Sequence, residues 1–505
     1  MTPAQPKPWL LLLSVFAIAT CGLVYELIAG TVASYLLGDS VTQFSLVIGV
    51  YLFAMGMGSL ASKYIERHLL TWFIRVELLV GLVGGISSTL LYLLFGIAEG
   101  FQFILFLLVF ITGALVGIEI PLLMRILKDE VEFRSLVANI FTFDYVGALL
   151  ASVIFPLVLM PTIGILRTSY LFGLLNVAVG LVVLERFRDQ VRAPAVLRSA
   201  GIALVAVFVI AFAFAGRVQS FTEGLNYAGP IIHAESTPYQ RIVITREHDG
   251  TRLYLNGNLQ FSTFDEYRYH EALVHPAFMH RPDARKVLVL GGGDGLAVRE
   301  VLKYPQVRQV DLVDLDPAIT RLFSDSSGFA HLNDGSLASP RVRVHNADAF
   351  QWLRTGQDTY DIVLVDFPDP NNYALGKLYS TTFYRTLAHR LDDRSIVVVQ
   401  STSPYIATNA FWCVHNTMRA EGYQVLPYHV YVPSFGDWGF LLASRGALPT
   451  ELREPTVPRR FLDGATFAEA THFSRDMAWR ETPVNRLNDQ ALVRLFEQEW
   501  DKVAP

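Results

Sequence analysis

Between residues 9 and 216 the chain consists of long apolar runs with very little charge, and this feature restricts its fold more than any other. A helix needs about 20 apolar residues to cross the hydrocarbon layer of a bilayer. Seven runs approach that length: 9–29, 41–62, 73–95, 101–124, 137–160, 168–184 and 199–216. Residues 1–217 are therefore expected to form an α-helical multi-pass membrane domain. A mean hydropathy of +0.36 agrees, as does the 17% of charged residues among 505, since soluble enzymes are more polar. The first run is not read as a cleaved signal peptide, because Tyr25-Glu26 stands where a cleavage site would fall and six similar segments follow.

The connecting loops carry a charge bias. Lys63, Arg67 and Arg75 follow the second run, Arg125, Lys128 and Arg134 the fourth, and Arg186, Arg188, Arg192 and Arg198 the sixth. Loops rich in Lys and Arg stay on the cytoplasmic side, so the N-terminus is expected inside. Seven crossings from there lead the rest of the chain outside. Glu26, Glu77, Glu119 and Asp144 lie in or at the ends of the apolar runs. An intramembrane carboxylate costs several kcal/mol unless it is paired or hydrated. Two readings stay open for them: pairing with loop Arg or Lys or hydrogen bonds between helices, and a path for cations. Gly56-Met57-Gly58-Ser59 and Gly81 with Gly84-Gly85 fit close helix packing.

Beyond Arg217 the composition turns to that of a soluble domain. Cys21 and Cys413, the two cysteines, exclude a disulfide framework and a four-ligand zinc site. A net charge of −5 and a pI near 6.2 give no basic footprint, so nucleic acid is not expected as a partner. Residues 218–268 read as a small antiparallel β-hairpin cap: Gln240–Thr245 and Arg252–Leu255 alternate as strands around His248-Asp249-Gly250, with Asn256-Gly257 after them. Residues 448–505 read as a tail with one amphipathic helix around Leu492–Phe496, there for packing.

Residues 269–447 read as a doubly wound α/β domain. The buried run Lys286-Val287-Leu288-Val289-Leu290 leads into Gly291-Gly292-Gly293-Asp294-Gly295, and the next strand, Val310-Asp311-Leu312-Val313, ends on Asp314. Glycines there permit a tight turn and let a ligand approach the backbone, while an acid about 20 residues on can hold ribose hydroxyls. Further strand runs at Val342–Val344, Ile362–Val365 and Ile396–Val399 alternate with helical stretches. Ligands in such sheets sit beyond the C-terminal strand ends. Those ends carry Asp294, Asp314, Asp348 and the pair Asp366 and Asp369, an acidic mouth.

Over roughly residues 235–445 the chain resembles the spermidine synthase family, the polyamine aminopropyltransferases. The matching text is Tyr269-His270-Glu271, Val287 through Gly295 with Arg299-Glu300, Tyr360 through Asp366 with Asp369-Pro370, and Leu378-Tyr379-Ser380-Thr381-Thr382-Phe383-Tyr384. The text departs from the family after Asp369-Pro370, where Asn371-Asn372 replaces the usual Gly-Pro turn, and Tyr431 is given no site role. The resemblance implies a Rossmann-like, methyltransferase-type domain in a membrane-anchored member. Asp366 would be the general base, Asp369 would bind the acceptor's remote ammonium, and Tyr269 and His270 would form the wall between donor and acceptor. Gln240, Asp294, Asp314 and Asp348 would be donor contacts. It implies decarboxylated S-adenosylmethionine as co-substrate with no other cofactor and no metal, putrescine as acceptor, and spermidine and methylthioadenosine as products. The expected partners are these small molecules and the lipid bilayer, with a homo-oligomer left open. The expected location is the cell (inner) membrane, and a cytosolic supply of substrate favours a cytoplasmic catalytic side. Two other classes remain: a polyamine transporter or sensor whose soluble half only binds ligand, and an S-adenosylmethionine-dependent methyltransferase.

Overall fold

The computed structural model describes residues 8–37, 40–95, 100–128, 132–224, 227–325, 328–449 and 451–502. It divides into two compact units, Met1–Pro230 and Ile231–Pro505. The first is helical: α1 (Pro8–Leu37), α2 (Ser40–Ser62), α3 (Leu69–Phe95), α4 (Phe101–Leu127), α5 (Phe133–Ile154), α6 (Met160–Arg186) and α7 (Pro194–Gly224). Helix α7 runs through Arg217, where the soluble part was expected to begin. A single charge changes polarity without stopping a helix, and residues 218–223 contain neither glycine nor proline.

Six helices of this unit are long and apolar enough to cross a membrane, the fifth being the uninterrupted run Arg134–Arg186 of 53 residues. Straight, such a run would extend about 80 Å, far beyond a hydrocarbon layer of about 30 Å. It folds back instead. A π-helical turn between α5 and α6, Phe155–Leu159, and Gly164 at φ 76°, ψ 175° near the start of α6 reverse the chain. Both arms then meet α1 at adjacent residues: the Thr20 hydroxyl donates to the Gly147 carbonyl at 3.3 Å and the Cys21 thiol to the Phe172 carbonyl at 3.9 Å. Small residues set the helix spacing, as the sequence pattern implies. A Cβ on Gly58 would lie 1.9 Å from the Ala114 carbonyl oxygen, and one on Gly84 would lie 2.6 Å from the Tyr25 ring.

The second unit opens with an antiparallel meander of four strands rather than one hairpin: β1 (Ile231–Ser236), β2 (Arg241–Glu247), β3 (Gly250–Leu255) and β4 (Asn258–Ser262). Then come β5 (Lys286–Gly291), β6 (Gln309–Asp314), β7 (Val342–Asn346), β8 (Tyr360–Asp366), β9 (Leu391–Gln400), β10 (Gln424–Val432) and β11 (Gly436–Ser444). They form one sheet in the order β10-β11-β9-β8-β5-β6-β7. β5 to β9 are parallel, and β10 and β11 add an antiparallel edge. Val287 to Leu290 and Ile362 to Val365 are fully buried, with apolar clusters on both faces, which is why these central strands read as unbroken apolar runs. Helices α8 (Glu266–His280), α9 (Leu296–Leu302), α10 (Pro317–Ser324) and α11 (Ala349–Thr355) connect the first half. The chain order reverses at β5, which lies between β6 and β8, and that switch point opens the crevice where ligands bind.

The tail does more than pack one helix. Helix 491–500 covers the cluster holding Phe383 and Tyr384, and the Glu271 carboxylate accepts backbone N–H groups of Arg460, Phe461 and Leu462 at 2.6–2.9 Å.

Candidate active site

Three strand ends converge because glycines let them. Gly291 (φ 80°) and Gly292 (φ 65°) follow β5 in the left-handed region. A Cβ on Gly291 would stand 2.2 Å from the Asp366 carbonyl oxygen, one on Gly292 2.9 Å from Asp366 Oδ2, and one on Gly293 2.7 Å from Asp314 Oδ2. Any side chain in this loop would push apart the ends of β5, β6 and β8. The loop is thus shaped around the two carboxylates that follow those strands.

Asp314 accepts N–H bonds from Gly293 at 3.0 Å and from Asp316 at 2.9 Å. Burial pushes its carboxyl up to about 6, the neighbouring acids Asp316 and Asp294 reinforcing and the two N–H bonds opposing the shift. Asp294 is buried, accepts the Leu296 N–H at 2.9 Å and is raised mainly by burial, with the His270 charge opposing. Asp366 accepts the Tyr269 hydroxyl at 2.5 Å. Burial raises Asp366 to about 6, against the pull of His270 and the Tyr269 bond and with a push from Asp294. Asp366 and Asp369 are half-buried, and the protein around them limits their hydration. Asp369 rises to about 7 by burial, opposed only by hydrogen bonds from Gln400 at 3.4 Å and Thr402 at 3.2 Å.

Tyr269 and His270 stand side by side on α8 with ring centroids 5.1 Å apart, and Tyr269 also packs on Phe440 at 5.3 Å. His270 is buried. Burial lowers its affinity for a proton, but the hydrogen bond and charge of Glu266, with Asp294 and Asp366 behind, hold it up at about 9. Glu266 accepts His270 Nδ1 at 2.8 Å and is clamped by Arg299 at 2.9 and 3.0 Å. The pocket therefore contains one fixed positive charge facing two carboxylates.

The remaining expected residues take different places. Gln240 Nε2 donates to Asp316 Oδ2 at 2.9 Å, alongside the Thr237 hydroxyl at 2.8 Å, so it joins the site through Asp316, whose N–H in turn reaches Asp314. Asp348 caps α11, accepting the Gln351 N–H at 3.0 Å, and pairs with Lys377 at 2.8 Å. Its carboxyl lies below the usual range, burial being outweighed by the Lys377 hydrogen bond. Lys377 thus binds Asp348 from the segment after β8, and Ala347, the residue before Asp348, donates its N–H to the Asp314 carbonyl at 3.0 Å.

Sequence reasoning missed Asp316, which looked like a simple helix cap. It also missed Gln400, a buried side chain whose Nε2 donates to the Phe367 carbonyl and to Tyr379 Oη at 3.0 Å, and whose Oε1 accepts Trp438 Nε1 at 3.2 Å. A buried glutamine closing an apolar strand was the available signal.

A Rossmann-like sheet with a glycine loop at its switch point and carboxylates on the adjoining strand ends defines a small-molecule enzyme domain. Residues 266–451 match the spermine/spermidine synthase domain. Polyamine aminopropyltransferase 1 of Ralstonia nicotianae is 52% identical over 99% of this chain and 98% of its own. The polyamine aminopropyltransferase of Leptospira interrogans is 49% identical over 98% and 99%. A crystal structure of spermidine synthase from Thermotoga maritima is similar at 22% identity and a TM-score of 0.45, covering 48% of this chain and 84% of that one. The chain belongs to the polyamine aminopropyltransferase family. The Ralstonia and Leptospira relatives align along both units, the helical one included.

Proposed function

We propose that this enzyme transfers the aminopropyl group of decarboxylated S-adenosylmethionine to putrescine, giving spermidine and methylthioadenosine, from a catalytic unit carried by a multi-pass bundle in the cell membrane. The observation that carries this reading is the pair Asp366 and Asp369, two half-buried acids at the end of β8 and just beyond it, each supported by its own neutral donors. A primary amine of lysine-like basicity, near 10.4, is protonated at neutral pH and cannot attack until it loses a proton. Asp366 accepts that proton as the C–N bond forms, the C–S bond breaks and its electron pair returns to sulfur, leaving a neutral thioether. Asp369 holds the far ammonium, which aligns nitrogen, carbon and sulfur. Asp314, Asp294 and Gln240 through Asp316 line the donor side. Asp294 favours a donor ending in an ammonium over one that also carries a carboxylate, and this separates aminopropyl from methyl transfer.

The purified full chain, given both substrates, should release methylthioadenosine, and Asp366→Asn should abolish the release. Absence of release with putrescine and with longer diamines overturns the reading. Two observations bear on the orientation in opposite senses: substrate supply supports a cytoplasmic catalytic unit, while seven crossings from a Lys- and Arg-biased inside lead outside. C-terminal reporter fusions test the cytoplasmic placement, and an active phosphatase fusion would overturn it.

A further inference from the structure

The segment that leaves β9 holds a residue whose side chain suits its backbone badly. Thr402, fully buried, lies at φ 55°, in the left-handed region. A β-branched residue is an outlier there, whereas glycine enters the region freely and asparagine or aspartate at little cost. A turn alone would be better made by one of those residues, and strain of this kind persists only where the surrounding structure over-determines it. Here it does. The Thr402 carbonyl accepts the Gly439 N–H of β11 at 2.8 Å, and a Cβ on Gly439 would lie 2.9 Å from that carbonyl oxygen and closer still to the Phe411 ring.

Both donors of Thr402 serve one acid. Its hydroxyl donates to Asp369 Oδ2 at 3.2 Å, and its N–H donates to Gln400 Oε1 at 3.2 Å. Gln400 Oε1 also accepts Trp438 Nε1 at 3.2 Å. With its oxygen fixed by two donors, the amide turns Nε2 towards the Phe367 carbonyl, Tyr379 Oη and Asp369 Oδ1, the last at 3.4 Å. The torsion φ sets the angle between a residue's N–H and its Cβ, so the left-handed value ties the direction of one donor to that of the other. Glycine would make the same turn and keep the N–H, but it has no hydroxyl. Both donors to Asp369 are neutral, in contrast to the Lys377 ammonium on Asp348, and they leave its negative charge uncancelled.

We propose that Thr402 is a positioning residue of the acceptor site, kept in a strained backbone because its hydroxyl orients Asp369 directly and its N–H orients the same acid through Gln400. The inference rests on the reading of Asp369 as the holder of the acceptor's far ammonium. An acid aimed in advance loses less freedom when the diammonium binds, which favours the acceptor and leaves the donor untouched. Asp366 takes its own hydrogen bond from Tyr269 on α8, so the proton-transfer step does not depend on Thr402.

The test measures methylthioadenosine release by the purified full chain, with decarboxylated S-adenosylmethionine and putrescine varied in turn. Thr402→Val keeps the branched shape without the hydroxyl, and Thr402→Gly makes the turn freely without it. Each should raise the putrescine KM about tenfold, with kcat and the donor KM kept within about twofold. Thr402→Ser restores a hydroxyl and should stay within about twofold of wild type in all three. In an Asp369→Asn background the charge that Thr402 orients is gone, so adding Thr402→Val should change the putrescine KM by less than about twofold. A wild-type putrescine KM in Thr402→Gly would leave Thr402 a turn and nothing more. Falls in kcat and donor affinity as large as the change in putrescine KM would make it a part of the fold, and an undiminished tenfold effect beside Asp369→Asn would separate it from Asp369. Each of these results overturns the proposal. A wild type that releases no methylthioadenosine overturns the reading of the reaction and this inference with it, whereas turnover with an unchanged putrescine KM in both Thr402→Val and Thr402→Gly overturns this inference alone.

Discussion

Both units bury carboxyl groups, and the two sets are held in opposite ways. In the crevice each acid of the central group has donors built into the fold: Tyr269 on Asp366, Gln400 and Thr402 on Asp369, and two backbone N–H groups on Asp314. In the bundle Glu119 has none and Glu77 only Asn176. Donors of fixed position define an acid whose place is set before a ligand arrives, which is what alignment of a reaction requires. An acid without donors leaves buried oxygens unmet, which costs stability. The comparison therefore predicts that crevice substitutions act on the reaction and bundle substitutions act on stability.

The largest expected effect is that of Asp366→Asn, which keeps the shape and the Tyr269 contact but removes the proton acceptor. A fall of about 10²–10⁴ in kcat is expected, read as methylthioadenosine released per unit time. A loss under tenfold would separate Asp366 from proton transfer. Asp369→Asn is expected to act mainly on the acceptor. Losing a charged hydrogen bond of about 1.5–3 kcal/mol raises its KM by about 10–100-fold with the donor KM unchanged.

pH sharpens the contrast. Asp314 and Asp366 near 6 and Asp369 near 7 lie above their unfolded values, so the folded crevice binds more protons than the unfolded chain between about 4 and 7. From these groups, stability falls as pH rises through that window, while kcat/KM rises as Asp366 and Asp369 ionise. His270, held near 9, acts later: its contribution is complete below its unfolded value near 6.5 and is lost as pH rises through 9. Melting curves across pH, with and without putrescine, check this. A bound diammonium stabilises the ionised acids, so putrescine should flatten the acid-side slope. An unchanged slope would show that the acceptor does not meet them.

Much of the crevice was legible because its logic is local. The apolar run of β5, the glycines after it and Asp314 at the next strand end follow one another in sequence, and the structure joins them through Gly293 and Asp314. Asp366 was legible for the same reason, as the end of an apolar strand. Gln400 and Asp316 were not. Gln400 matters because Trp438 returns on the antiparallel edge to meet it, a pairing 38 residues long that no local pattern announces. Asp316 does cap α10, its side chain accepting the Ala318 N–H, and only the fold adds Gln240 and Thr237 to its other oxygen. The tail was read as one packing helix because the backbone of residues 460–462 gives no sign in sequence that it will satisfy buried Glu271. In the helical unit, the apolar runs located every helix, but the reversal between α5 and α6 rests on the conformation of Gly164, and the end of α7 on its continuing past Arg217.

The smallest expected effect also divides the two sets of acids most cleanly. Glu119→Leu replaces an unpartnered buried carboxyl with an apolar side chain of similar size, and such exchanges are neutral or stabilising, here by about 1 kcal/mol. The melting temperature of the helical unit should therefore hold or rise slightly while aminopropyl transfer is retained. Asp314→Leu should do the reverse, because it leaves the N–H groups of Gly293 and Asp316 without an acceptor beside the glycine loop. If Glu119→Leu destabilised the bundle as strongly as Asp314→Leu destabilises the crevice, Glu119 would be a structural acid that the bundle depends on. Its lack of a partner would then no longer distinguish it from the acids of the crevice.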